Sequence, residues 1–184
     1  MRIANRFTGR AAASSMVVAA ALSLAAVQTA GQTASAATPK KAASIVDCTT
    51  ENTKLTVKDV PRPINHLLLT ATNTGTKPCN AYGAPFLAAG AGAQAAVPWL
   101  ESSRPQAVVT LAPGESAYAG IGTYTPDGYE GHTAKTLGVS FSNRQLNGSI
   151  GEGKTLKLPN GGVYFNSSNY VTYWQSDVDN ALFG

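Results

Sequence analysis

Residues 67–86, LLLTATNTGTKPCNAYGAPF, decide the fold. Their first part alternates, with Leu67, Leu69 and Ala71 on one side and Leu68, Thr70 and Thr72 on the other. A period of two belongs to a strand, because successive side chains point to opposite faces of a sheet. Asn73-Thr74-Gly75 ends the alternation with residues suited to turn conformations. The chain then returns through Cys79 and Tyr82, so a hairpin-like unit is expected, followed by a further short strand in APFLAAG.

Working outward, KLTVKDV (54–60) sets Leu55 and Val57 among lysines, as a half-exposed strand does. In AVVTLAPGESAYAGIGTY (107–124) two β-rich runs flank Pro113-Gly114. Proline supplies φ at the first central turn position and glycine accepts positive φ at the second, which favours a type II turn. TLGVSFSN (136–143) places Val139 and Phe141 on one face, and GKTLKLP, VYF and YVTYWQS offer up to three more strands. In the last of these, Val171 and Tyr173 oppose Thr172 and Trp174, and either pair can face inward.

Seven to nine short strands with no long helical periodicity predict an all-β fold. The expected form is an immunoglobulin-like two-sheet antiparallel β-sandwich, with a small open barrel as the structural alternative.

The first 36 residues read as an export leader. Arg2, Arg6 and Arg10 precede an apolar run over residues 16–27, and Ala34-Ser35-Ala36 supplies small residues for cleavage. The run falls short of the ~20 residues a permanent membrane span needs. No stable span is expected after cleavage. Removing residues 1–36 from the 184 leaves 148, enough for one core. Residues 37–44 read as a flexible lead, and 45–184 as a single domain. The leader carries three of the 14 Lys/Arg, so the remainder has 11 against 10 Asp/Glu, a net charge of +1. No basic stripe remains to neutralise a phosphate backbone, and a nucleic-acid partner has no electrostatic support.

Cys48 and Cys79 are the two cysteines of the chain. In an exported protein they read as one disulfide, closing a loop of about 32 residues. Their wide spacing is not that of a redox CxxC pair, and with two distant histidines they make a poor zinc site.

CTTENTKL, the strand ending in NTGTKPCNAYGAPF, and VTLAPGESAYAGIGTY together resemble the secreted actinobacterial domain-of-unknown-function family numbered 4232. The matching positions are Cys48, Asn73, Gly75, Cys79, Tyr82, Gly83, Pro85, Leu111, Pro113 and Gly114, within residues 48–143. The resemblance implies an extracellular or cell-envelope β-sandwich with a Cys48–Cys79 bond, and brings no catalytic motif.

Catalytic signals are sparse. Asp127, Glu130 and His132 lie close in DGYEGHTAKT, where a carboxylate can orient a histidine base, but no GxSxG-like nucleophile accompanies them. The carboxylates Glu101, Glu115 and Glu130 show no pairing across a cleft. Asp177-Val178-Asp179-Asn180 offers oxygen ligands without the remaining spacing of a calcium loop. AAGAGAQAAVPW lacks the Gly-Lys-Ser/Thr ending of a phosphate loop. No cofactor or metal is expected. Asn147-Gly148-Ser149 and Asn166-Ser167-Ser168 match the glycan acceptor pattern.

Aromatic side chains carry the binding expectation, since exposed rings anchor proteins or carbohydrates at modest entropic cost. Tyr124 and Tyr129 in GTYTPDGYEGH are the leading candidates, followed by Trp99. The expected function is a secreted or cell-wall-associated, non-enzymatic domain that binds an extracellular protein or cell-wall glycan. A secreted hydrolase assembled only in three dimensions, and an envelope structural component, are the alternatives.

Overall fold

A computed structural model describes residues 44–184; the expected leader (1–36) and residues 37–43 of the lead lie outside the described residues. The described residues form twelve strands: β1 Val46–Asp47, β2 Thr53–Asp59, β3 His66–Asn73, β4 Cys79–Ala89, β5 Trp99–Leu100, β6 Val109–Leu111, β7 Ser116–Gly122, β8 His132–Ala134, β9 Thr136–Ser142, β10 Ser149–Lys157, β11 Val163–Phe165 and β12 Tyr170–Thr172. A helix, α1 Val178–Phe183, follows near the carboxyl end. The count exceeds the expected seven to nine because six strands are only two or three residues long.

The strands form three sheets. One runs β1-β4-β9-β10, with β6 also paired to β4; a second runs β2-β3-β7-β12-β5; β8 and β11 make a two-stranded ribbon. The mainly-β expectation holds, but the pairing is not wholly antiparallel. β1 runs parallel to β4, and β5 parallel to β12. Both pairs join segments far apart in sequence, and no tight turn forces such partners to be antiparallel.

Alternation becomes burial as expected in β3, where Leu67, Leu69 and Ala71 are buried and Leu68, Thr70 and Thr72 are half-buried. Val139 and Phe141 of β9 are buried together, as is Leu55 of β2. These side chains belong to one hydrophobic cluster that draws on both five-stranded sheets.

The hairpin-like unit expected after β3 is not formed. β3 pairs with β2 and β7, whereas β4 pairs with β1, β6 and β9, so residues 74–78 carry the chain from one sheet to the other. Pro78 has no N–H to return to β3. The Pro113-Gly114 turn does the same, passing the chain from β6 on β4 to β7 on β3. Its geometry is as expected, with Gly114 at φ +86° and the Glu115 amide donating to Ala112 O at 2.9 Å. A third crossing, residues 48–52, links β1 to β2.

All three crossings meet at one end of the strands. Asn73, 1 % exposed, joins two of them. Its Nδ2 donates to Lys77 O and Leu111 O, each at 2.9 Å, while its Oδ1 accepts from the Gly75 amide at 2.8 Å. The third crossing is braced by Asn52, whose carbonyl accepts from the Thr74 amide at 2.9 Å. Cys48 and Cys79 form a disulfide there, and Cys79 is the register partner of Leu111. Most of the motif residues that carry the family resemblance are therefore the parts of one clasp.

The carboxyl-terminal segment completes the sheets. Neither pair expected of YVTYWQS wins the interior, because Val171, Thr172, Tyr173 and Trp174 are all buried. The Trp174 amide donates to Gly83 O of β4, and the Gln175 amide to Tyr118 O of β7. Residues 173–175 thus run between the sheets and are covered on both sides. Trp174 stacks on Phe141, ring centroids 5.3 Å apart at 19°. The Asp177 string starts α1 as its amino-terminal cap, accepting from the Asn180 amide at 2.8 Å, a use of the carboxylate that satisfies an otherwise unpaired helix donor.

Candidate functional site

The end of the strands opposite the clasp gathers the loops. Residues 60–65 precede β3, 123–131 follow β7, 90–98 follow β4, and 166–169 link β11 to β12. Side chains fasten these loops to one another. Asn65 O accepts from both the amide and the hydroxyl of Thr123, and the Thr125 amide donates to Ser168 Oγ at 2.8 Å. Tyr129 and Ser167 exchange two bonds, amide to hydroxyl and amide to carbonyl, each at 3.0 Å. Asn166, 4 % exposed, donates to Thr125 O and accepts from Ser168. Its amide is consumed as a brace, which removes it as an accessible glycan acceptor.

On this braced end large apolar side chains face solvent. Tyr129 is 71 % exposed, Ile64 75 %, Tyr164 43 % and Tyr124 37 %. Tyr124 and Tyr164 meet edge to face, centroids 5.4 Å apart at 78°. The Tyr164 hydroxyl fills the space that a side chain at residue 131 would need. The structure thus brings together the two loop tyrosines singled out in the sequence and adds Tyr164 and Ile64 to them.

Trp99 lies elsewhere. Its indole N–H donates to Pro85 O at 3.2 Å, and its half-buried ring rests against Phe86 and Tyr173. Tyr173 in turn holds Arg104 and Glu101. Arg104 donates to its hydroxyl at 2.6 Å, and that hydroxyl donates to Glu101 at about 3.0 Å. Burial is the main cause that raises the Tyr173 pKa. The Glu101–Arg104 ion pair, at 3.0 Å, is itself solvent-exposed and contributes little alone.

His66 is locked between neighbours. A carbonyl can only accept, so Nδ1, 2.7 Å from Ile64 O, carries the hydrogen, and Nε2 accepts from the Tyr170 hydroxyl at 2.7 Å. Desolvation raises the Tyr170 pKa.

A cleft of about 490 Å³ opens between residues 92–98 and the segments 130–132 and 165–169. Glu130 and His132 both line it, whereas Asp127 sits outside on the Thr125-to-Gly128 turn. His132 lies in the short strand β8, not in the polar turn its sequence suggests, and its Nε2 contacts Ala89 O at 2.9 Å. Ser167 is also in the wall, with its hydroxyl accepting from the Tyr129 amide. No hydrogen bond joins Ser167 to His132, or His132 to a carboxylate, among the described residues. The other carboxylates are dispersed: Glu115 accepts from the Ala112 amide in its turn, and Glu101 belongs to the Tyr173 group.

The cleft wall also includes Gln94 and Asn169, neither of which carries a sequence signal of its own. Asn169 Nδ2 donates to Asn166 O, which fixes the amide orientation, and leaves Oδ1 buried without a donor. No helix among the described residues is long and apolar enough to cross a membrane.

The profile of one protein family, described as Domain of unknown function (DUF4232), matches residues 48–175, more than half of the chain. The match begins at the disulfide and extends past β12 to Gln175, covering the segment that runs between the sheets. Neither a curated protein nor a solved structure matches.

Proposed function

The chain belongs to the DUF4232 family, and we propose that it is an exported, non-enzymatic binding domain of an actinobacterial cell envelope or its surroundings. In this reading residues 1–36 are a cleaved leader, and residues 45–184 are one immunoglobulin-like two-sheet sandwich secreted or held at the cell wall. The partner, an extracellular protein or cell-wall glycan, docks on the loops opposite the clasp.

One observation carries the proposal: Ile64, Tyr124 and Tyr129 are exposed on loops immobilised by side-chain hydrogen bonds, and Tyr164 is exposed on the short strand β11, edge to face with Tyr124. Exposed apolar rings held in fixed positions lose little entropy on contact, which is the property of a recognition surface. A clasp at the far end lets these loops differ without disturbing the crossings.

The test is retention of the oxidised chain by isolated envelope material. Tyr124→Ala, Tyr129→Ala and Tyr164→Ala combined should weaken retention at least tenfold while the thermal transition persists. Unchanged retention would remove the docking role. Reproducible turnover of a hydrolase substrate, lost in His132→Ala, would replace the reading with an enzymatic one.

A further inference from the structure

At the β9–β10 hairpin we infer a self-modification site: Asn147 loses its side-chain amide to attack by the following backbone nitrogen, and water converts it to aspartate or isoaspartate. The site is independent of the docking loops. It lies toward the clasp end, where Ser142 pairs with both Tyr82 and Ser149.

The only co-reactant is water. The Gly148 nitrogen gives up its proton to a base in the solvent and attacks Asn147 Cγ; the bond from Cγ to Nδ2 breaks, ammonia leaves, and a succinimide ring closes. Water then opens the ring at one of its two carbonyls. Attack at Cγ restores the ordinary backbone with an aspartate side chain, whereas attack at the main-chain carbonyl reroutes the chain through the side chain as isoaspartate. One water enters, one ammonia leaves, and nothing is oxidised or reduced.

The attacking nitrogen must be unhindered and uncommitted. Two Asn-Gly pairs occur in the chain, at 147–148 and 160–161, and glycine hinders least because it has no Cβ. The Gly148 amide donates to no acceptor among the described residues, although its carbonyl accepts from the Asn143 amide at 2.8 Å. Comparable amides elsewhere are engaged. That of Gly128, after Asp127, donates to Thr125 O; those of Thr74, Ser167 and Ala181, each after an asparagine, donate to Asn52 O, Tyr129 O and Asp177 O.

Nitrogen and side chain must also swing to the same side of the Cα–C bond. Asn160 is held against this: at φ 53° and ψ 25° the Gly161 nitrogen lies nearly opposite the Asn160 Cβ. Asn147 is exposed and keeps a negative φ. Among the described residues it is tied only within the hairpin, where its Oδ1 accepts from Asn143 Nδ2 at 2.8 Å and its backbone amide donates to Asn143 Oδ1 at 3.2 Å. Turning its side chain breaks no bond to the sheets. The hydrogen bond to Oδ1 also favours attack, because a donor there stabilises the negative charge that develops on that oxygen.

Peptide mass mapping of the intact oxidised chain, aged in mildly alkaline buffer made with heavy-oxygen water, is the test. Heavy oxygen should enter at residue 147 at least tenfold faster than at residue 160, and an isoaspartate-specific methyltransferase should methylate the aged protein at the same peptide. Gly148→Ala should slow the reaction at least tenfold. The added carbon meets only Asn143 Nδ2, at 3.5 Å, and Gly148 has no positive φ, so the variant keeps its fold, which its amide spectrum verifies. With the disulfide reduced and the chain unfolded in urea, residues 147 and 160 should react within threefold of each other, because the backbone that separates them is gone. The inference is overturned by the absence of label at residue 147, by equal labelling of residue 160 in the folded chain, or by a rate that folded Gly148→Ala leaves unchanged. A folded-state rate at residue 147 more than tenfold below its rate in urea would also overturn it, since the hairpin would then protect the asparagine.

Discussion

Replacing Asn73 by alanine should cost far more than its size suggests. The side chain makes three bonds of 2.8–2.9 Å, to Gly75, Lys77 and Leu111, and is 1 % exposed. At a net value of about 1 kcal/mol for each bond, Asn73→Ala should lose about 3 kcal/mol. For a domain of this size that loss lowers Tm by roughly 6–12 °C. Asn73→Asp should be no better, because it keeps an acceptor for the Gly75 amide but turns an oxygen toward the carbonyls of Lys77 and Leu111. Urea unfolding followed by tryptophan fluorescence measures the loss, since Trp174 is fully buried and reports global opening. Exposed Asn147 is the control, and Asn147→Ala should change stability by less than about 0.5 kcal/mol. A loss below that value for Asn73→Ala, or an Asp variant as stable as the parent, would refute the clasp as the joint between the crossings.

Three further outcomes are expected. The paired substitution Cys48→Ala and Cys79→Ala, which opens a link between residues 31 apart, should lower unfolding free energy by about 3–4 kcal/mol in the same urea assay. Gly120→Ala should loosen α1, because the added carbon would collide with the backbone carbonyl of Ala181; faster amide exchange over residues 180–184 checks this, with Gly92→Ala, which meets open space, as the control. Hydrogen bonds led by that from Thr49, and joined by the Glu152 amide, hold the Glu51 carboxyl at about 2 instead of 4.5. A depressed carboxyl stabilises the fold above its unfolded pKa and loses that contribution as pH falls through the folded one. The Glu152 amide should therefore keep its shift from neutral pH to about 4 and move only as pH approaches 2, and Glu51→Gln should abolish the transition.

Strand identity was legible where one face is buried and the other wet. Leu67, Leu69 and Ala71 announce β3 by alternation alone, and Pro113-Gly114 announces its turn by backbone preference. Strand pairing was not legible, because a turn such as residues 73–78 looks the same whether the chain doubles back or crosses to another sheet. The difference lies in Asn73 reaching Leu111, a contact 38 residues away. The segment 170–175 misled for a related reason: alternation implies a wet face, and burial between sheets removes it. Tyr124 and Tyr129 were readable as loop aromatics from the Pro, Asp and Gly around them. Tyr164 was hidden in a run that reads as strand. Trp99 resembles the tyrosines in sequence, but the Pro85 carbonyl that takes its N–H is a tertiary neighbour.

The placement of β1 has a practical corollary. Val46 pairs with Cys79 and its amide bonds Pro78 O, so the first of the described strands lies at the shackled pole. A fluorophore, bead or polymer coupled at residue 44, beside β1, grips the molecule there and leaves the tyrosine-bearing pole pointing away from its mooring. Immobilised in that orientation, the protein displays its ring-studded crown to whatever flows past.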